Sequence, residues 1–132
     1  MNKIIILTAI FFISFHSLSA EIVKDFKVEG NERISSETIK VYGDIELNVN
    51  YDEIRLNTVL KNLYETDFFE SIDLNIKNNV LNIRVKEYQI INNIIFEGEK
   101  ANKTKKAILE RLQLKEKNSF IKSKLNDDVE LI

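Results

Sequence analysis

The stretch YDEIRLNTVLKNLYETDFFESIDLNI, Tyr51 to Ile76, changes its hydrophobic period part-way along. Leu56, Val59, Leu60 and Leu63 recur at i, i+3, i+4 and i+7, the spacing of one helical face. After Asp67 the period becomes two: Ile72, Leu74 and Ile76 point one way, and Ser71, Asp73 and Asn75 the other. Glu65-Thr66-Asp67 is the only room left for a turn. A helix and a strand joined so closely should pack their apolar faces together.

Working outward, Lys77-Asn78-Asn79 separates two alternating runs and reads as a tight hairpin turn. Leu81, Ile83 and Val85 then share the inward face of a further strand, with Asn82, Arg84 and Lys86 opposite. Upstream, Asn50 and Glu53 have the spacing of a capping box for the long helix, and Ile45 to Asn50 is a connector. Ser35 or Ser36 can cap a short helix from Glu37 to about Tyr42, with Ile39 and Tyr42 as its apolar side and Gly43 as its stop. Before it, Ile22 to Glu29 reads as a strand: Ile22, Phe26 and Val28 share a face, with Lys24 the exception. Glu29-Gly30-Asn31 ends that strand, because Gly and Asn tolerate left-handed backbone.

The order from Ile22 to Glu87 is therefore β-α-α-β-β. Two helices reverse the chain twice, so the second strand should run antiparallel to the first. The hairpin makes the third antiparallel to the second. A three-stranded mixed sheet with the third strand in its centre satisfies both, with the two helices on one face. The strand at about Glu70 to Lys77 then lies on an edge.

After Glu87 the pattern begins again. Placing Gly98 on Gly30 puts Ile90, Ile94 and Phe96 on Ile22, Phe26 and Val28, and Glu97 on Glu29. With one residue of shift, Ile108 falls on Ile39, Leu114 on Ile45, Phe120 on Tyr51 and Leu125 on Leu56. The repeat is about 68 to 69 residues long. The second copy holds one strand and two helices before Ile132, so the expected organisation is a complete unit over residues 20–87 and an incomplete β-α-α unit over residues 88–132.

Residues 1–19 have the features of a cleavable secretory signal peptide. Met1-Asn2-Lys3 is a short positive start, and Ile4 to Phe15 is apolar apart from Thr8 and Ser14. Ser17-Leu18-Ser19 offers small residues where a signal peptidase reads, which favours cleavage after Ser19. The apolar run falls short of the roughly 20 residues that cross a bilayer, which weighs against an uncleaved anchor. Cleavage would remove His16, the chain's one histidine.

The net charge of −2 on 132 residues lacks the basic excess that binding to nucleic acid requires. With no Cys, and no His after cleavage, thiol and Ser-His chemistry and most zinc sites are excluded from this segment. Asp52-Glu53 and Asp127-Asp128 read as solvated first-turn charges rather than acid-base pairs. Glu97-Gly98-Glu99 lacks the glycine spacing of a phosphate loop and adds negative charge. Asn102-Lys103-Thr104 matches a glycosylation triplet that arises often by chance. Lys100, Lys103, Lys105 and Lys106 read first as a solvated helix start, and otherwise as a contact for acidic headgroups or a partner. No enzymatic activity and no cofactor are expected.

Several segments together carry a family resemblance. Phe26-Lys27-Val28-Glu29-Gly30-Asn31-Glu32-Arg33-Ile34 resembles the opening of a POTRA (polypeptide-transport-associated) domain. Leu63-Tyr64-Glu65-Thr66-Asp67-Phe68-Phe69-Glu70-Ser71-Ile72 and Leu81 to Glu87 resemble the rest of that module, and Ile94 to Gly98 resembles the start of a second. Tandem POTRA domains behind a signal peptide are similar to the periplasmic N-terminus of the BamA family of outer-membrane protein assembly factors.

The resemblance implies an α+β fold of tandem β-α-α-β-β units, the second truncated here. It implies a longer protein ending in an outer-membrane β-barrel that is absent from this chain. It also implies unfolded outer-membrane proteins, periplasmic chaperones and assembly-complex lipoproteins as partners, and no nucleic acid. POTRA regions of two-partner-secretion transporters, of translocation and assembly factors, and of division proteins are the alternatives. There are two departures from the family pattern. Glu99 stands where Asn often follows Gly, and Tyr88-Gln89 replaces Arg-Pro, which implies a looser hinge.

The feature with functional promise is the strand edge. An exposed edge offers backbone N–H and C=O groups to an extended peptide. The candidate partner-binding residues are Glu70, Ser71, Asp73, Asn75 and Lys77. Asp73 and Lys77 would discourage casual aggregation.

Overall fold

The computed structural model describes residues 21–131; the expected leader at residues 1–19 lies outside them. Five strands and four helices are present among the described residues: β1 (Glu21–Val23), β2 (Asp25–Glu29), α1 (Ser36–Tyr42), β3 (Val49–Tyr51), α2 (Glu53–Tyr64), β4 (Phe69–Lys77), β5 (Val80–Glu87), α3 (Asn102–Arg111) and α4 (Lys122–Leu131). The main sheet has the order β2-β5-β4, with β2 parallel and β4 antiparallel to the central β5. Strand three of the repeat unit is thus in the centre and strand two on an edge, as the chain reversals require.

Local chemistry explains each element. Ser35 caps α1 by accepting the Thr38 N–H. Asn78 and Asn79 both take positive φ (54° and 63°), which gives the two-residue connection between Lys77 and Val80 the twist that suits paired strands. Val59 and Leu63 of α2, Ile39 of α1, Phe69 of β4 and Leu81, Ile83 and Val85 of β5 form one buried core. Leu56 packs on it from the rim, as do Ile72, Leu74 and Ile76. Truncating Leu63, which is fully buried, removes about 2–5 kcal/mol of packing on the general scale for such sites.

Three local expectations are corrected. The first strand is broken at Lys24, whose N–H goes to the Asn79 carbonyl at 2.8 Å. The break reverses the facing of the residues before it, so Val23 is buried and Ile22 is exposed. The connector contains β3, which pairs antiparallel with β1 in a separate two-stranded ribbon. The cap of α2 is Asp52, which accepts the Arg55 N–H, and Asn50 lies inside β3. Tyr51, which ends β3, is buried. Its phenol accepts the Glu46 N–H and donates to the Glu46 carbonyl.

The end of β5 is clamped to the turn after β2. Glu87 Oε1 accepts the N–H groups of Glu32, Arg33 and Ile34 at 2.9–3.0 Å. Arg33 Nε lies 2.9 Å from the other carboxylate oxygen. Burial opposes ionisation of Glu87, but the three N–H groups and the Arg33 guanidinium outweigh it, and the carboxyl titrates below its ordinary value. Beside it, Gly30 has φ +83°, and a Cβ there would stand 2.1 Å from the Val85 carbonyl oxygen. No side chain fits.

Past Glu87 two local features match the geometry before it. Ile90 bridges Ser119 antiparallel, as Ile22 pairs with Asn50, and Gly98 has the φ of Gly30. The expected strand from Ile90 onward is reduced to that one bridge. Residues 94–96 have no strand beside them among the described residues, and the Ile94 N–H is met by the Glu116 carboxylate at 2.8 Å instead. Accordingly nothing lies within 4 Å of a Cβ built on Gly98.

The segment after Glu87 is hydrogen-bonded on both sides. Tyr88 N–H bonds the Phe68 carbonyl, Arg33 bonds the Tyr88 carbonyl, and Gln89 and Ile91 bond across to residues 117–120. Lys124 reaches Asp67 at 2.5 Å, the only ion pair among the described residues that joins 21–87 to 89–131.

Two substitutions test the clamp. Gly30→Ala should destabilise by more than the roughly 1–3 kcal/mol of left-handed strain alone, whereas Gly98→Ala should stay within that range; urea denaturation compares them. Glu87→Gln should cost about 1.5–3 kcal/mol near pH 7. A depressed carboxyl gives stability that is full above its unfolded value of about 4.3 and is lost as pH falls through the folded one. The difference between native chain and variant should therefore shrink on acidification below about pH 4.

Candidate functional site

β4 is a nine-residue strand paired on one side only. Its free edge can be assigned residue by residue. The Ile72 N–H donates to the phenolic oxygen of Tyr64 at 3.1 Å, so it points away from β5. Backbone groups alternate along an antiparallel strand. The groups of Ile72, Leu74 and Ile76 therefore face outward, and those of Ser71, Asp73, Asn75 and Lys77 are spent on β5.

The edge has closed ends. At its start, the register shifts between Phe69 and Ser71, a bulge at Glu70 that twists the strand. At its finish the Asn78-Asn79 turn takes the chain back. One outward donor, on Ile72, is already covered. The open window is Leu74 to Ile76.

The two faces beside this edge differ. On the helix side Ile72, Leu74 and Ile76 are half-buried against the core. On the other side Glu70, Ser71, Asp73, Asn75 and Lys77 are exposed, and strands are tied by polar contacts. Glu70 pairs with Lys86 at 2.6 Å, Arg84 with Glu29 at 3.5 Å, and Asn82 donates to Asn75 at 3.2 Å. The five residues singled out in the sequence thus supply the solvent-side surface of the edge, while its available hydrogen-bonding groups belong to their neighbours. Tyr64 was not legible as part of this site, because its contact with Ile72 crosses a turn.

Other candidates resolve into structural roles. Asp52 is a helix cap. Asp128 is not a solvated first-turn charge: it is 3 % exposed and accepts the N–H groups of Gln113 and Leu114 at 2.6 and 2.9 Å. It fastens α4 to the end of α3. Lys100, Lys103 and Lys106 are exposed around the start of α3. Among the described residues no cluster of His, Cys, Asp or Glu is arranged to hold a metal.

Known proteins agree with this architecture. No family model matches the chain. It is 27 % identical over 89 residues to the outer membrane protein assembly factor BamA of Neorickettsia risticii (strain Illinois), which covers 67 % of this chain and 12 % of that protein. It superposes on the N-terminal domain of Omp85 from Thermosynechococcus elongatus with a TM-score of 0.57 at 12 % identity, covering 86 % of this chain and 49 % of the other. It superposes on POTRA1-2 of the periplasmic domain of Omp85 from Anabaena with a TM-score of 0.53 at 11 % identity, covering 87 % and 78 %. The chain carries the fold of those Omp85 POTRA domains, and over part of its length it is similar in sequence to a BamA. It spans about an eighth of the length of its BamA relative.

The edge assignment makes an alternating pattern of amide exchange. Ser71, Asp73, Asn75 and Lys77 should exchange slowly, and Leu74 and Ile76 rapidly, in hydrogen-exchange NMR. The reverse alternation would place the open groups on the other set.

Proposed function

We propose that this chain is the start of the periplasmic POTRA region of an outer-membrane β-barrel assembly factor. Residues 1–19 export it, residues 20–87 are its first POTRA domain, and residues 88–132 begin its second. The region receives unfolded outer-membrane proteins as extended segments, with periplasmic chaperones and assembly lipoproteins as further partners. A C-terminal barrel beyond this segment does the insertion. The role is binding and delivery, without turnover.

One observation carries this reading: β4 presents outward backbone groups at Leu74 and Ile76 next to a half-buried apolar row. An added strand would continue the sheet, with apolar side chains beside Ile72, Leu74 and Ile76 and polar ones beside Ser71, Asp73 and Asn75. Strands of membrane barrels alternate in this way. Main-chain bonds serve many sequences, which suits a receiver of varied clients.

Photo-crosslinkers at Asp73 and Asn75 of the full-length protein should capture an unfolded outer-membrane protein in the periplasm. Capture only from helix positions such as Ile54 would overturn the edge as the receiving surface.

A further inference from the structure

We infer that Tyr64 is a register-setting residue of the β4 edge, and that it confines an incoming strand to the Leu74–Ile76 window. The inference rests on the edge reading above and adds a residue and a constraint to it.

Tyr64 is the last residue of α2, and the turn through Thr66 and Asp67 brings it back over the start of β4. Thr66 holds that turn from inside: its hydroxyl donates to the Leu63 carbonyl at 2.6 Å and accepts the Phe68 N–H at 3.2 Å. Asp67 has φ +58°, which redirects the chain into the strand. The phenol is thereby carried to the outer side of β4, where it takes the Ile72 N–H. The ring is 42 % exposed, so this bond lies at the surface and not in the core.

The consequence is steric and electronic. An added strand that reached Ile72 would need its N–H, and would have to move a phenol out of the way. Stopping at Leu74, it can use both groups of Leu74 and of Ile76 without disturbing anything. The bulge at Glu70 bends the strand away on the same side of the window. The hairpin turn at Asn78-Asn79 limits the other end. Tyr64 thus shortens a nine-residue strand to a short docking edge, which also protects it against pairing with a second copy.

The occupant is an extended peptide with alternating apolar and polar side chains. Its apolar set would lie beside Ile72, Leu74 and Ile76, on the same side of the sheet as α2. Its polar set would lie beside Asp73 and Asn75.

The test compares the native chain with Tyr64→Phe, which keeps the ring and removes only the hydroxyl. The probe is a short capped peptide alternating Thr with Val and flanked by lysines, titrated under NMR observation of backbone amides. In the native chain the peptide should protect Leu74 and Ile76 from exchange and leave Ile72 on Tyr64. In Tyr64→Phe it should protect Ile72 as well and bind roughly two- to tenfold more tightly, the worth of one further hydrogen bond. Without peptide, Ile72 should exchange faster in the variant than in the native chain. Equal protection of Leu74 and Ile76 in both proteins, with no change at Ile72, would overturn the role of Tyr64 and leave the edge reading intact. No response at any β4 amide in either protein would overturn both.

Discussion

The carboxylate of Glu87 holds the fold together at the point where its two most distant parts meet. The β-α-α portion must return to a strand more than fifty positions away, and nothing local enforces that return. Three backbone N–H groups after β2 converge on one oxygen of Glu87, and Arg33 faces the other. Gly30 lets the two chains approach closely enough for this to happen, since any side chain would enter the Val85 carbonyl. With β5 so anchored beside β2, β4 is left on the outside. The open edge is a product of the clamp.

The region beyond Glu87 shares two features with the geometry before it. The Ile90–Ser119 bridge and the left-handed glycine are both in place. Leu114 is buried as Ile45 is, but Phe120 is 40 % exposed where Tyr51 is 2 % exposed. Where Val59 fills the first core, the corresponding position is Asp128, which spends its charge on two backbone N–H groups. Backbone geometry is thus preserved where core packing is not.

Periodicity made most of the architecture legible. The change from period 3.6 to period 2 located α2 and β4, and paired asparagines located the hairpin. Chain reversals alone put β4 on the edge. What escaped has a common cause: it depends on a break in phase or on contacts across a turn. A single irregular residue, Lys24, exchanges the faces of Ile22 and Val23. β3 is too short to show alternation and merges with the helix start at Tyr51. The clamp by Glu87 joins positions that no local pattern links. The edge was legible as a strand, but which of its backbone groups face outward depends on pairing with β5, and the contact of Ile72 with Tyr64 is what reveals that parity.

The parallel pairing of β2 with β5 imposes an order of events on the chain. The β4–β5 hairpin closes over a two-residue turn, so it can form early and from local contacts. β2 emerges before both, yet its partner is the last strand of the unit to be made. Until Val80–Glu87 is available, Phe26 and Val28 have no sheet to join, and the N–H groups of Glu32, Arg33 and Ile34 have no carboxylate to meet. The N-terminal strand therefore has to wait unpaired while some fifty residues follow it, and the loop it finally closes is the costliest step in assembling the unit. A protein whose proposed work is to receive waiting strands begins as one itself.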